Sequence, residues 1–500
     1  MNYSSKYKII SIISIVLLCF GLTFKYLQND TFYIIKLGNY IVNHGIDSID
    51  HYSWVAKLPY TYPHWLYDIF IYYIYNCFSF VGVYISVIVM FIIACLIIYY
   101  IMLNTTKNFF LSFLVGIVSV FRLTSFAVAR AQILSLSLFL LEVYFINKLI
   151  NIGKNKYIIY LCILSLLIAN IHGTAWLFYF VLFLPFIVEY FIYKIISLKK
   201  VREIYKLDRY KNGRILVEKV KNIKKVFISF LLCFLMGVFT PCRICYSYVF
   251  KVMLGDSQKV LLEHLPLVII DEPFLIILII LLILVLIFTN VKIKLRELFM
   301  IGGLFLLSLM SIRHLLFFYS IGLIYIVDII YRSLLLVDDY TIDILGNILI
   351  NSKMLLLIVL MLIISFSGYK FYGHSKEEYV TKKYYPIDAV KYIKNNLDYK
   401  NIRLYNEYDY GSYLLFNDIP VFIDSRCDLY LKEFNGMKYS LFNEMKDIDF
   451  KYEKKFKKYN VSHVILNKHN SFYMTLVKDN NYNIIYQDRF FILFEVIDYE

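Results

Sequence analysis

Charged residues are scarce in this sequence. Only 18% of its 500 residues are Asp, Glu, Lys or Arg, whereas 60% are hydrophobic. A water-soluble chain of this length cannot bury that much apolar surface. The composition therefore excludes a soluble globular protein and predicts a polytopic α-helical membrane protein. Because no small-residue cleavage site follows the first apolar run, we interpret that run as a retained anchor rather than a signal peptide.

Cysteine is equally sparse, and acidic residues are outnumbered by basic ones. The eight cysteines lie mostly in apolar runs, and the lone C-x-x-C at Cys242 and Cys245 has no second pair. This excludes a disulfide scaffold and leaves the pair as structural, with a loop disulfide as the alternative. The net charge of +15 comes largely from twelve Lys/Arg residues between Lys194 and Lys225. Such a cluster between apolar runs is typical of a cytoplasmic loop and argues against a nucleic-acid partner.

Charged residues mark the ends of eleven predicted spans, because a charge at a span centre costs roughly 3 kcal/mol. The spans lie near 9–26, 83–103, 109–125, 133–149, 157–169, 175–193, 226–239, 273–289, 299–312, 315–331 and 354–370. If the basic loop is inside, counting spans puts the N-terminus in the cytoplasm and the C-terminus outside. We therefore expect a multi-pass protein of the cell membrane.

The first outer loop, residues 27–82, is predicted to carry two helices that lie along the membrane surface. The first covers Phe32 to Asn43. The second covers Trp65 to Phe80, where polar residues at four-residue steps form one stripe. If this second segment crossed the membrane, every later loop would change side and the basic loop would face outside. The transmembrane domain is thus predicted over residues 1–372.

From about Gly373 the long apolar runs stop, and residues 373–500 are predicted to form a soluble extracytoplasmic α/β domain. Four short strands are predicted, at "NIRLYNE", "IPVFID", "SHVILNK" and "NIIYQ". Two helices, "IDAVKYIKNNL" and "KYEKKFKKY", are predicted between them.

This topology gathers most of the polar groups at the span ends on the outer face. Each has an ordinary explanation: an Arg such as Arg130 or Arg313 can anchor a span, Asp30 can cap the following helix, and Asp68 can pair with His64. Together they suit a lipid-linked anion. Cations and histidines hold a phosphate or pyrophosphate, an acid takes a proton from an attacking hydroxyl, and aromatic faces suit a sugar ring. The implied chemistry is group transfer from a lipid phosphate.

Several short motifs resemble those of the GT-C superfamily of membrane glycosyltransferases, and more closely a bacterial group within it. Its Asp, "G..I...G", Ser and Trp-Leu pattern is matched by Asp30, Gly38, Gly45, Ser53 and Trp65–Leu66. Its "R-P-Q", "N-x-H-G" and "E-W-x-P" motifs are matched by Arg130–Gln132, Asn170–Gly173 and Glu263–Pro266. The tail motif "D-W-G-G-Y-L … F-I-D-G-R-x-D-L-Y" is matched over Asp409 to Tyr430 and is the most specific piece. Ala131 and His264 replace the Pro and Trp of two motifs.

The resemblance implies a glycosyltransferase that moves a hexosyl or pentosyl group from a polyprenyl-phosphate sugar to a glycan, lipid or protein acceptor. Asp30 would be the general base. The donor phosphate would be held by Arg130, His172, Arg313 and His314. The residues implied to bind substrate are Asp50, His64, Trp65, Gln132, Asn170, Glu263, Asp409, Tyr410, Asp424 and Arg426, of which Asp424 and Arg426 can instead be a structural pair. Thr31 follows Asp30 where many GT-C enzymes have a second acid, which favours a metal-independent route, although Glu263 or Asp50 can supply a carboxylate for a divalent metal.

Two other functions fit the same sequence. A transporter or flippase of lipid-linked glycans needs polar residues through the depth of the membrane, whereas the predicted span centres are almost wholly apolar. A catalytically inactive GT-C scaffold fits the sequence as well as an enzyme does.

Overall fold

The computed structural model describes residues 5–198, 214–241, 246–248, 251–252, 262–337, 353–446, 448 and 451–497. Residues 199–213 of the basic loop predicted to be cytoplasmic, together with Cys242 and Cys245, lie outside the described residues. Each of the eleven predicted spans coincides with helix in the described part of the chain.

The helices of the first three quarters of the chain run back and forth between two faces. They are α1 (Ser5–Leu22), α2 (Asn29–His44), α3 (Trp65–Thr106), α4 (Phe109–Leu123), α5 (Ala131–Ile152), α6 (Lys156–Ile171), α7 (Trp176–Val181), α8 (Leu184–Ile196), α9 (Ile223–Leu235), α10 (Pro273–Phe288), α11 (Leu295–Met310), α12 (Leu323–Val337) and α13 (Lys353–Ser375). A two-stranded parallel ladder joins β1 (Ile215–Leu216) to β2 (Ile293–Lys294).

Among the residues that the structure describes, five helical stretches are long and apolar enough to cross a membrane. They are Trp65–Thr106, Phe109–Phe126, Ala131–Ile152, Gly173–Ile196 and Ile312–Leu336. Three shorter apolar helices cover Tyr7–Leu22, Lys156–Ile171 and Pro273–Phe288. The predicted helical membrane class is confirmed, while the number of helices that cross stays a prediction.

The two predicted surface helices are both present and pack on each other. The first is α2, and the second is the start of α3, which bends at Ser79, where φ is 55° and ψ is −157°. The close contact centres on Gly38, because a Cβ atom there would lie 2.2 Å from the carbonyl oxygen of Asp68. Only glycine lets the two helices approach this closely. The Asp30 end of α2 is thereby fixed against α3.

The tail contains a four-stranded mixed sheet with the order β3–β4–β6–β5. The strands are β3 (Leu404–Tyr405), β4 (His463–Asn467), β5 (Tyr482–Gln487) and β6 (Phe491–Val496). β3 and β4 are parallel, whereas β6 is antiparallel to both of its neighbours. The accompanying helices are α14 (Ile387–Asn396), α15 (Tyr408–Phe416), α16 (Leu441–Lys446), α17 (Tyr452–Tyr459) and α18 (Phe472–Val477).

One predicted strand is wrong. "IPVFID" forms no strand of the tail sheet, and its single bridge joins Val421 to Ser53 in the first loop. The same junction includes a hydrogen bond from Trp54 Nε1 to the Leu404 carbonyl, 2.9 Å long. The segment therefore docks the tail onto the transmembrane part of the chain instead of extending the sheet.

Candidate functional site

A cavity of about 170 Å³ lies where several helix ends meet on one face of the molecule. Asp30 comes from the first turn of α2, Arg130 from the residue before α5, and His172 from the residue after α6. Glu263 and Arg313 come from short 3-10 turns on either side of the α10–α11 pair. Because the helices run back and forth, their ends bring these residues together although they are far apart in sequence.

Arg130 connects two acids at the centre of the cavity. Its Nε lies 2.6 Å from Asp30 Oδ2. The Nε–H group is not directed at this oxygen, so the contact is an ion pair rather than a hydrogen bond. A second guanidinium nitrogen donates to Glu263 Oε2 at 2.8 Å. Glu263 also lies 3.7 Å from Arg313. Two arginines and two carboxylates thus form one continuous cluster.

This cluster keeps its members ionised. Burial raises the pKa of Glu263, but Arg313 and Arg130 outweigh it and lower that pKa to about 2. Burial disfavours the charged form of Arg130, yet Asp30 and Glu263 hold its pKa above the usual value. Opposite charges at contact distance have this effect. Glu263 is therefore ionised and Arg130 carries a full positive charge at neutral pH.

The histidines of the cavity are neutral near pH 7. Burial, with Arg313 and Arg130 nearby, lowers the pKa of His64 to about 3. Burial and Arg313 lower the pKa of His264 to about 4, and its Nε2 accepts a hydrogen bond of 3.0 Å from Arg313. His172 is buried, and its Nδ1 lies 2.8 Å from the Ser135 hydroxyl. These histidines thus supply uncharged hydrogen-bonding groups, whereas Arg130 and Arg313 supply the positive charge of the cluster.

Nine of the fifteen predicted site residues line this cavity. They are Asp30, His64, Arg130, Gln132, His172, Glu263, Arg313, His314 and Arg426. Two of the ordinary explanations considered for these residues do not hold. Asp30 lies within the helix and makes no cap hydrogen bond. The buried Asp68 makes no pair with His64, because its Oδ1 has no partner and the His64 ring lies 5.2 Å from the His172 ring.

The other six predicted residues lie elsewhere. Asp50 and Asp424 are fully engaged in a buried ion-pair network with Arg426. Trp65 Nε1 donates to the Asn170 side chain at 3.0 Å, which joins the start of α3 to the end of α6 outside the cavity lining. Asp409 and Tyr410 line a separate, more open groove of about 930 Å³ between the start of α2 and the tail. Asp50 is thus not placed to ligate a metal in the cavity.

Sequence reasoning missed several polar cavity residues, among them Ser135, Tyr248 and Asp428. Ser135 lies near the start of a predicted span, and Tyr248 sits in a segment without any motif. Asp428 is part of the tail motif, so its signal was present in the sequence, but only the fold places it in the cavity lining.

The carboxylates of the cavity were also compared with what a divalent metal needs. Within the described ranges, no three His, Cys, Asp or Glu side chains come together as a metal-binding group. Glu263 is instead flanked by two arginines. Its environment suits an anion carried by the arginines rather than a cation.

The arrangement of helices and tail is similar to that of solved membrane glycosyltransferases of the GT-C superfamily. An apo oligosaccharyltransferase from Archaeoglobus fulgidus matches with a TM-score of 0.55 and 11% identity, over 95% of this chain and 72% of that one. AglB from the same organism, in complex with an inhibitory peptide and a dolichol-phosphate, matches with a TM-score of 0.52 and 11% identity, over 93% and 69%. ArnT from Cupriavidus metallidurans, bound to undecaprenyl phosphate, matches with a TM-score of 0.54 and 9% identity over 98% of both chains.

At these identities the likeness shows the fold alone, and it confirms the predicted GT-C resemblance at that level. No protein-family model and no curated protein matches the sequence.

Proposed function

We propose that this protein is a membrane glycosyltransferase that moves a sugar from a polyprenyl-phosphate carrier to an acceptor hydroxyl at the outer leaflet. The carrying observation is the cavity in which Arg130 lies between Asp30 and Glu263, with Arg313 beside Glu263. The fold supports it, because two solved neighbours are bound to a dolichol-phosphate and to undecaprenyl phosphate.

In the proposed reaction the acceptor oxygen attacks the anomeric carbon of the donor sugar. The bond between that carbon and the phosphate oxygen breaks, and the lipid phosphate leaves with the bonding electron pair. Asp30 takes the proton of the acceptor hydroxyl. Arg130 and Arg313 stabilise the charge that develops on the leaving phosphate. Neutral imidazoles at His64 and His172 donate further hydrogen bonds without adding charge.

The ion pairs within the cavity orient the two arginines for this role. Glu263 contacts both guanidinium groups and therefore holds them at the same end of the cavity. A phosphate that enters competes with the carboxylates for arginine hydrogen bonds that are already oriented. Little reorganisation is then needed when charge moves onto the leaving group.

The test compares cells of the native host that carry the wild type with cells that carry Asp30→Asn at equal protein levels. Polyprenyl-phosphate sugars and surface glycans are measured by mass spectrometry. We expect one lipid-linked sugar to accumulate and one glycan to lose that sugar, by about 100-fold or more, because a general base contributes that much. Asp271→Asn is the matched control, since Asp271 is exposed and lies outside the cavity lining.

Unchanged glycans in the Asp30→Asn strain, with altered glycans in a strain that lacks the gene, would remove the base assignment. That result would favour a transporter or an inactive scaffold instead.

A further inference from the structure

The end of the tail motif forms one wall of the site cavity. Residues 425–429, which span the "SRCDL" of that motif, all line the cavity. A 3-10 turn, Cys427–Tyr430, contributes three of these five residues. The sequence resemblance assigned roles to Asp424 and Arg426 in this stretch but none to Asp428.

The wall is rigid on both sides of Asp428. The buried Arg426 guanidinium contacts Asp50 Oδ1 at 2.6 Å and Asp424 Oδ2 at 2.7 Å. The Tyr430 hydroxyl donates to Asp424 Oδ2 at 2.6 Å. Anchors two residues before and two residues after Asp428 leave its backbone little freedom.

The Asp428 carboxyl has one partner, a tyrosine. The Tyr248 hydroxyl donates to Asp428 Oδ2 at 2.5 Å. Tyr248 is only 4% exposed, and its ring packs on Phe434 with centroids 5.1 Å apart. Across the described ranges, no Lys, Arg or His lies within ion-pair distance of Asp428, and this distinguishes it from Asp30 and Glu263.

The cavity therefore has two chemically different ends. Arg130 and Arg313 with their carboxylates form the cationic end, which suits a phosphate. Asp428 forms a second, acidic end: it makes no ion pair within the described ranges, although Arg313 lies near enough to offset part of the rise that burial causes in its pKa. Tyr60, Tyr248 and Tyr408 also line the cavity and offer ring faces. A ligand that fits both ends is anionic at one end and rich in hydroxyl groups at the other.

A carboxylate has about four acceptor positions and donates nothing when ionised. Tyr248 occupies one position on Asp428 and fixes the plane of the carboxyl group. The remaining positions face a space in which adjacent hydroxyls of a sugar ring can donate two hydrogen bonds. A sugar that lacks one of these hydroxyls, or carries it in the other configuration, leaves the carboxyl without a hydrogen-bond donor. Such unpaired polar groups discriminate strongly between similar substrates.

We propose that Asp428, oriented by Tyr248, accepts hydrogen bonds from ring hydroxyls of a sugar residue in the cavity and so determines which sugar is used. This inference rests on the proposed function. The sugar is either the transferred residue of the donor or the residue of the acceptor that is attacked, since both present the same hydroxyl chemistry.

The test uses the full-length chain with Asp428→Asn, Tyr248→Phe and, as the control, Asp398→Asn in the tail. We expect Asp428→Asn to lower the surface glycan by about tenfold, which corresponds to the loss of one charge-assisted hydrogen bond. Tyr248→Phe is expected to lower it less, and Asp398→Asn to leave it unchanged. Binding of undecaprenyl phosphate to purified Asp428→Asn is expected to stay within about twofold of the wild type, because the phosphate lies at the other end.

The source of the sugar is found in the Asp30→Asn background, where the donor accumulates. If Asp428→Asn reduces the lipid-linked sugar that co-purifies with the protein, the carboxyl binds the donor sugar. If the co-purified amount is unchanged while the glycan still falls, it binds the acceptor sugar.

Wild-type glycan levels in both Asp428→Asn and Tyr248→Phe would overturn the inference. A parallel loss of thermal stability and undecaprenyl phosphate binding in both variants would also overturn it, because the role would then be structural. Failure of Asp30→Asn to change any glycan is a different result and would count against the proposed function itself.

Discussion

Arg130 is the residue on which the site depends most. Its two contacts use different nitrogens, Nε toward Asp30 and a terminal nitrogen toward Glu263. A planar guanidinium can reach two carboxylates in this way, whereas the compact ammonium of lysine cannot do so in the same geometry. Arg130 therefore holds the two carboxylates in place and, in the proposed reaction, binds the phosphate.

We expect Arg130→Lys to weaken undecaprenyl phosphate binding by tenfold or more and to lower the free energy of unfolding by about 1–3 kcal/mol, since one carboxylate loses its partner. Arg332→Lys is the matched control. Arg332 also joins two acids, Glu297 and Asp328, but at the opposite end of the helices. The Arg332→Lys variant is expected to lose comparable stability and to bind undecaprenyl phosphate as tightly as the wild type. Equal binding in the two variants would contradict a phosphate role for Arg130.

His64 gives the site a defined pH dependence of stability. Burial lowers its folded-state pKa to about 3 from a reference value of 6.5. Between these values the unfolded chain binds the proton and the folded chain does not, so stability falls as the pH falls below 6.5. We expect His64→Gln to lose less stability than the wild type between pH 7 and pH 5, by about 2 kcal/mol. Thermal unfolding at the two pH values measures this, with the exposed His469→Gln as the control. If the stability of His64→Gln fell with pH as steeply as that of the wild type, His64 would not be the group responsible for this pH dependence.

At the residue scale the sequence predicted part of the site. Asp30, Arg130, Glu263 and Arg313 could be predicted because charged residues at span ends stand out from apolar surroundings. The sequence did not distinguish Asp428 from the other acids of the tail, because Asp428 joins the cavity lining only when the tail docks against the transmembrane part of the chain. The expected pair of Asp68 with His64 failed because His64 lies before the helix begins and turns toward His172.

Among the elements, the packing of α2 on the start of α3 controls where Asp30 sits. Helix α2 contributes Asp30 and Tyr33 to the cavity lining, and it touches the start of α3 at Gly38. The sequence resemblance identified Gly38 only as a motif position. Its physical role is the absence of a Cβ atom at a helix crossing.

We expect Gly38→Ala to cost about 1–3 kcal/mol of stability and to reduce glycosyl transfer, because the added methyl group would lie 2.2 Å from the Asp68 carbonyl oxygen and 2.6 Å from Tyr72 Cβ. Gly303→Ala is the control, since nothing lies within 4 Å of a Cβ atom there. That helical substitution is expected to be neutral or slightly stabilising. Thermal unfolding of both variants makes the comparison, and equal midpoints would refute the close-contact argument.

Helices were easier to predict than strands. Apolar runs bounded by charges coincide with helix at each of the eleven predicted positions in the described part of the chain, because local composition largely determines such helices. "FILFEV" is β6, the central partner of β4 and β5, yet it was not predicted. "IPVFID" has the composition of a strand but pairs with the first loop at Ser53. Strand identity depends on a partner distant in sequence, and a single chain does not reveal that partner.

In the molecule as a whole, the tail and the transmembrane part form one functional body. The tail wall, residues 425–429, closes the cavity, and the contacts of Arg426 with Asp50 and of Trp54 with Leu404 hold it in place. A tail docked in this way must lie on the same side of the membrane as Asp30. The cavity and the C-terminal domain must therefore lie on the same side of the membrane, and the predicted outer position is either right for both or wrong for both.

A labelling experiment tests that position. In a variant without the native cysteines, Lys400→Cys in the tail is expected to react with a membrane-impermeant thiol reagent in intact cells. Lys154→Cys, between α5 and α6, is expected to react only after the cells are permeabilised. Both side chains are exposed, so accessibility differs by side of the membrane alone. The opposite labelling pattern would invert the predicted topology.

The position of residues 425–429 in the chain also sets the moment at which the site comes into being. Asp30 is synthesised 395 residues before Ser425, the first residue of that wall. At ordinary rates of translation these events are roughly 20–80 s apart. During that interval the nascent chain carries Asp30 without the complete cavity lining. Under the proposed function, a donor sugar met at this stage would lie open to water, so transfer has to wait until the tail is made.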